Sequence, residues 1–425
     1  MRRVLFLLTF TAVSIAAASP AWAASEQVLY SFTGGIDGSD PVGGVVSDST
    51  GNLYGVTYRG GTGKSGVVFK LSRASNGTWN EKVLYSFCPV LGCVDGANPI
   101  GGLAIDASGN LYGVTYDGGA GQAGVVFELT LIGDTWREIV LHHFCTAAGC
   151  ADGAFPVAGL TFDGAGHLYG TTNSGGRCKC GVAFKISVVS GISGGWLETV
   201  LYEFCTAEYC PDGSAPHAGV TFDLAGNLYG TTSGGGSNYQ GGTIYEMSPR
   251  TSGYWEHGAL YDFCPVKGCL DGDLPLGGVT FDVLGNLYGT ASGGGAKGAG
   301  VLFQLSPISG RWQYSIVHSF CADENSQGEC VDGVKPVNGI IFDSAGNMYG
   351  TTQLGGTKGA GVVFELVDER TGWQENVLHT FCTQARCADG DQPSGTMIFG
   401  SVGELYGTTS SGGTDGAGVV FEITL

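Results

Sequence analysis

Three groups of residues in this chain have the types and spacing to do chemistry. The first is an Asp-Gly pair that recurs seven times, at Asp37, Asp95, Asp152, Asp212, Asp271, Asp332 and Asp389. Seven carboxylates gathered on one rim would suit Ca²⁺ or sugar hydroxyls. Asp before Gly is also a turn former, since its carboxylate bonds nearby amides while Gly accepts positive φ, and repetition in every unit favours that role. The second group is the segment from Cys321 to Cys330, where Asp323, Asn325 and Glu329 are candidate metal ligands. Its Asp-x-Asn-x-Gln-Gly stretch has calcium-loop spacing, but Val334 stands where a bidentate Glu is needed, so a solvated acidic loop is expected. Ca²⁺ is the one cofactor this pattern offers.

Cysteines form the third group. Twelve of the fourteen fall into six local pairs: Cys88 and Cys93, Cys145 and Cys150, Cys205 and Cys210, Cys264 and Cys269, Cys321 and Cys330, and Cys382 and Cys387. Each loop offers two thiols, short of the four ligands of a closed zinc site, so six loop-closing disulfides are expected. Cys178-Lys179-Cys180 breaks the pattern inside a Gly-rich loop. A tight disulfide, a pairing with neighbouring loops and a soft-metal or redox site are all open to it.

His217, beside Pro216, is the histidine that alignment of the repeats does not explain. As a base near acids such as Asp152, Asp212 and Asp271, it would serve a carbohydrate hydrolase or lyase. His142, His318 and His379 occupy the place of Tyr30, Tyr85, Tyr202 and Tyr261, and read as substitutes at one amphipathic position. Trp79, Trp136, Trp196, Trp255, Trp312 and Trp373 open equivalent segments and read as packing anchors. Gly-rich loops such as 293–298 lack a helix N-terminus that could aim at a phosphate.

The elements that position these residues follow from a repeat of about 58 residues, marked by Tyr54, Tyr112, Tyr169, Tyr229, Tyr288, Tyr349 and Tyr406. In the second copy, 99–106, 110–115, 124–130 and 136–144 read as strands separated by turn signals. Four antiparallel strands per unit, apolar enough to be covered on both faces, describe a propeller blade. The chain opens with a lone fourth strand at 26–32 and ends after a third at 418–425. Pairing them removes the open edge, which an elongated solenoid would have no reason to arrange. The expected fold is an all-β, seven-bladed β-propeller of four-stranded antiparallel blades, closed by the N-terminal strand in the seventh blade. Its Gly-rich loops and Cys connections share one face. Asp48, Asp106, Asp163, Asp223, Asp282 and Asp343 cap turns on the other, and Gly400 replaces that Asp in the seventh unit.

The text Gly226-Asn227-Leu228-Tyr229-Gly230-Thr231-Thr232, then Gly234-Gly235-Gly236 and Gly242-Thr243-Ile244-Tyr245-Glu246-Met247, resembles the GloVer (Gloeobacter/Verrucomicrobia) tandem repeat of exported bacterial proteins. Comparable text recurs in all seven units. The resemblance implies export and a repeat fold. It brings no catalytic residues.

Residues 1–23 read as a secretory signal peptide, with Arg2 and Arg3, an apolar stretch and Ala21-Trp22-Ala23 for cleavage, leaving 24–425 as one propeller domain. No later stretch is apolar enough to span a bilayer, and no lipidation or wall-sorting tail follows. Loss of the two arginines would take the formal charge from −19 to −21. Such an acidic chain argues against nucleic acid as a partner. Gly supplies 77 of 425 residues, periodically placed, as tight turns require. The expectation is a secreted or periplasmic monomer without a catalytic site, binding an extracellular glycan or protein through its loop-rich face. Carbohydrate hydrolysis or a purely structural envelope role are the alternatives.

Overall fold

The computed structural model describes residues 24–189, 195–237, 241–369 and 372–425. The signal-peptide reading of 1–23 lies outside them. The described chain forms seven antiparallel blades in a ring. Blade 2 shows the plan, with strands Ala97–Ile105, Leu111–Asp117, Val125–Ile132 and Thr135–His143 from the axis outward. Blade 7 is composite. Its inner three strands, Asp391–Phe399, Leu405–Ser411 and Val419–Thr424, come from the C-terminal end, and Ser25–Ser31 pairs outside them. That register runs from Ser25 opposite Thr424 to Ser31 opposite Val419, so the last strand keeps no open edge.

The repeated phrase can be read letter by letter in blade 1. Leu53 is fully buried between blades. Tyr54 buries its ring and donates its hydroxyl to Asp48 Oδ2 at 2.9 Å. Gly55 carries no side chain because a Cβ there would lie 2.6 Å from Phe69 Cζ. Thr57 accepts the Val67 amide and donates to the Arg59 carbonyl, tying the second strand to the third. Where the seventh unit has Gly400 in place of Asp, Glu404 supplies the carboxylate and accepts the Tyr406 hydroxyl at 2.8 Å.

The core lies between blades. Each junction holds one apolar cluster with side chains from both neighbours. Rings from successive blades meet edge-on there, as Phe32 does with Phe69 and Phe381 with Phe421, both with centroids 5.1 Å apart. A second contact repeats around the ring. The glycine that opens each third strand leaves room for the proline of the next blade's innermost strand: a Cβ on Gly66 would lie 2.5 Å from Pro99 Cδ, and one on Gly418 the same distance from Pro41 Cδ.

The innermost strand is less regular than its sequence suggests. In blade 2 its register breaks between Ile100 and Ala104, across Gly101-Gly102. In blade 3 it splits into Ala154–Pro156 and Thr161–Phe162. The bulges bring neighbouring backbones together: a Cβ on Gly44 would lie 2.6 Å from the Thr396 carbonyl oxygen.

Candidate functional site

Innermost strands of all seven blades line an axial cavity of about 850 Å³. On the face of the Cys connections, its mouth opens beside a recess of about 360 Å³ lined by Asp40, Val42, Tyr58, Ile100, Tyr116, Val157, Asn173 and His217. The mouth is built by one device used seven times. The residue before the inner-strand proline is held in the left-handed region: Asp40, Asn98, Phe155, Ala215, Leu274, Lys335 and Gln392 have φ between 51° and 62°. Its amide donates to a carbonyl of the preceding blade, at 2.7 Å for Asn98 to Ser65 and 2.9 Å for Asp40 to Ala417. Such a conformation costs a non-Gly residue on the order of 1–3 kcal/mol, and the inter-blade bond offsets it.

Those seven positions share a backbone and differ in chemistry. So do the residues two places on, which include Val42, Ile100 and His217, and those at the rim end of the second strand: Tyr58, Tyr116, Asn173, Ser233, Ser292, Gln353 and Ser410. Aromatic rings gather on blades 1 to 3. Tyr116 and Phe155 lie 5.1 Å apart, and the Arg59 guanidinium sits 5.7 Å from the Tyr58 ring. Asp40 is pushed above the usual carboxylate range by burial, a shift that the Arg59 charge opposes. Burial lowers the His217 imidazole. No hydrogen bond or ion pair among the described residues joins His217 to Asp152, Asp212 or Asp271.

The Asp-Gly carboxylates point into the protein. Asp37, Asp95, Asp152, Asp212, Asp332 and Asp389 are 0–9% exposed, and Asp271 is half-buried. Each fixes its own connection. Asp152 accepts the Thr146 amide and hydroxyl on Oδ2 and the Ala147 amide on Oδ1. Asp389 does the same with Thr383 and Gln384. In the Cys-free first connection, Thr33 donates its amide at 2.7 Å and its hydroxyl at 2.5 Å to Asp37. Tyr30, Tyr85, Tyr202 and Tyr261 donate to Asp37, Asp95, Asp212 and Asp271 at 2.7–3.0 Å.

Sequence reasoning missed the partner of this ring. Two residues after the tryptophan of each outer strand stand Glu81, Glu138, Glu198, His257, Tyr314 and Glu375, with Glu26 in the N-terminal strand completing the set. Glu81, Glu138, Glu198 and Glu375 face the Asp of the preceding connection: Asp37, Asp95, Asp152 and Asp332. Glu26 faces Asp389 across the closing junction. Burial first, and that negative neighbour second, push Glu26, Glu81 and Glu198 up to about 7, Glu138 to about 8 and Glu375 to about 9. His257, facing Asp212, is lowered by burial to about 4. Tyr314 instead hydrogen-bonds the Asp271 carbonyl and stacks on Tyr261 at 3.9 Å.

Six disulfides close the predicted pairs. Cys178 and Cys180 are both free thiols. Asn325 is occupied by a turn, its Oδ1 accepting the Gln327 and Glu329 amides and its Nδ2 donating to Glu329 at 2.7 Å. The Asp323 carbonyl accepts the Val331 amide. Asp323, Asn325 and Glu329 are spread along an exposed loop.

A wider cleft of about 530 Å³ on the opposite face is lined by Asp163, Tyr169, Phe222, Asp223 and Trp255. These five are the repeat's own structural residues, and Lys185, Leu224, Arg250 and Tyr254 also line it.

The family model described as the Gloeobacter/Verrucomicrobia repeat matches residues 18–209, 152–330 and 324–425. No curated protein matches the chain. Among solved structures, a Bacteroides uniformis protein assigned as a 6-phosphogluconolactonase is similar at 14% identity over 79% of this chain and 83% of its own, with a TM-score of 0.47. PorZ, a surface component of the type-IX secretion system of Porphyromonas gingivalis, is similar at 13% identity over 87% of this chain and 45% of its own, with a TM-score of 0.41.

Proposed function

The chain belongs to the Gloeobacter/Verrucomicrobia repeat family, and from that premise we propose that it is an exported, monomeric, non-catalytic propeller that binds a glycan at the mouth of its axial cavity. One observation carries this reading. Most residues that build the fold repeat from blade to blade, and the buried positions that vary are turned into the junctions, whereas the three rings of varying residues at the mouth line an open cavity. There, Tyr58, Tyr116 and Phe155 offer rings beside the polar groups of Asp40, Asn173 and His217. Rings flanked by hydrogen-bonding side chains suit the alternating apolar and hydroxyl surfaces of a sugar. Six disulfides support export, because such bonds persist in oxidising compartments. No helix among the described residues is long and apolar enough to cross a membrane.

A glycan array probed with the purified domain tests the reading, followed by a turnover assay on every glycan bound. Binding without turnover supports it. Turnover abolished by His217→Ala would replace it with a hydrolase or lyase that uses the Asp40 and His217 recess.

A further inference from the structure

At the junction of blades 5 and 6 the buried acid pair takes a form found at no other junction among the described residues. His318 is the penultimate residue of the outer strand Arg311–Ser319, Asp332 follows Cys330 in the connection, and Glu375 lies on the outer strand Gly372–Thr380 of the next blade. His318 Nε2 stands 3.6 Å from Asp332 Oδ2 and 3.4 Å from Glu375 Oε2. One donor atom from each residue falls within 4.8 Å of the other two. The Asp332 and Glu375 side chains are 2% and 6% exposed. Three buried atoms nevertheless lack a hydrogen-bond partner: His318 Nε2, Asp332 Oδ1 and Glu375 Oε1.

The neighbouring junctions show why this one is different. Where Tyr occupies the place of His318, its hydroxyl reaches Oδ2 of the Asp at 2.7–3.0 Å; Oδ1 of Asp95, Asp212 and Asp271 stays unpartnered there too, but those junctions hold no imidazole at that place. Where His142 and His379 occupy it, they stand at the same 3.6 Å from Asp152 and Asp389, with Glu198 and Glu26 facing those acids. Both Asp oxygens there are already spent on Thr146, Ala147, Thr383 and Gln384, however, and no contact like that of His318 with Glu375 is made there among the described residues. The blade 5 connection has Ala322 in place of that Thr, and Asp332 accepts only the Ala322 amide, on Oδ2. Its second oxygen is left free and buried.

Separations of 3.4–3.6 Å are too long for hydrogen bonds of good strength. They match the edge of a coordination shell, since ligands at about 2.0–2.1 Å from a tetrahedral ion lie about 3.3 Å apart. Two carboxylates buried side by side cannot both ionise cheaply, and a divalent cation held between them and the imidazole would let both bind as charged ligands. We propose that His318, Asp332 and Glu375 bind one divalent transition-metal ion, Zn²⁺ foremost, as a clamp between blades 5 and 6. The imidazole selects such an ion over Ca²⁺ or Mg²⁺, which prefer oxygen alone.

The tag-free mature chain, stripped with chelator and desalted after incubation with Zn²⁺, tests this by elemental analysis, with Co²⁺ absorption as a spectroscopic readout. Wild type should retain one equivalent that His318→Tyr lacks, and should show a Co²⁺ spectrum that the variant does not. His318→Tyr should fold, since Tyr holds that place in four other junctions. Glu375→Gln should lose the same equivalent and covers the case in which the first variant misfolds. Zn²⁺ should raise the melting temperature of wild type and leave both variants unmoved, with millimolar Ca²⁺ unable to compete. Failure of wild type to retain Zn²⁺, or an undiminished equivalent in both variants, would overturn the proposal.

Discussion

The amide of Asp40, near the start of the chain, donates a hydrogen bond of 2.9 Å to the carbonyl of Ala417, near its end. The same bond joins Phe155 to Ala123 and Lys335 to Ala299 between ordinary neighbours. The closing junction is therefore made with the contact used elsewhere in the ring. It also places Asp40 at the mouth where the two ends meet.

Closure through Gly418 and Pro41 has a measurable consequence. Gly418 has φ +94° and a Cβ there would meet Pro41, whereas Gly51 has φ +80° in open space. Gly51→Ala should cost about 1 kcal/mol from backbone strain. Gly418→Ala should cost more than about 3 kcal/mol, because overpacking adds to the strain. Denaturant melts of the two variants check the difference.

Stability should fall as pH rises from about 4.5 to 8. Glu26, Glu81, Glu138 and Glu198 are raised in the fold to between about 7 and 8, so the folded state holds protons that the unfolded chain has released. Their contribution is complete below the unfolded carboxyl value and lost as pH climbs through the folded values. Each group gives a slope of at most about 1.4 kcal/mol per pH unit. Glu138 faces Asp95 and the Tyr85 hydroxyl. Glu138→Gln removes its titration and gives the unpartnered Asp95 Oδ1 a donor. The variant should be more stable than wild type at pH 8, by about 1–2 kcal/mol, and should show a shallower pH slope in thermal melts.

Alkylation should find two reactive thiols in the native chain, with exposed Cys178 modified faster than half-buried Cys180. Burial, and next the neighbouring Cys178, raise the Cys180 thiol. Its sulfur lies within 4.8 Å of those of Cys205 and Cys210. Above pH 9, Cys180 thiolate should therefore attack that disulfide, forming a new bond to one sulfur and releasing the other as thiolate. Peptide mapping should detect Cys180 linked to Cys205 or Cys210, and Cys180→Ser should abolish the product.

Blade count, closure by the N-terminal strand and six disulfides were legible because each leaves a periodic mark: the Tyr54 series, a lone fourth strand and paired cysteines. The mouth was legible only as a place, since Tyr58, Tyr116 and Phe155 come from different blades and meet through ring geometry. The buried glutamates were hidden by alternation. Trp79-Asn80-Glu81-Lys82 looks like a half-solvated strand, yet Glu81 shares the inward face with Trp79. An acid recurring two residues after a packing tryptophan was the available signal. The break at Gly101-Gly102 was read as continuous strand because its flanks, Ile100 and Leu103, are apolar on both sides.

The mouth is tested most directly by calorimetry with the strongest glycan from the array, comparing wild type, the Tyr58→Ala/Tyr116→Ala double variant and a control changed at Arg250 on the opposite face. The account predicts at least a tenfold loss of affinity in the double variant, about 1.4 kcal/mol, with the fold retained and the Arg250 variant unchanged. Full affinity in the double variant, or loss only in the Arg250 variant, would contradict it.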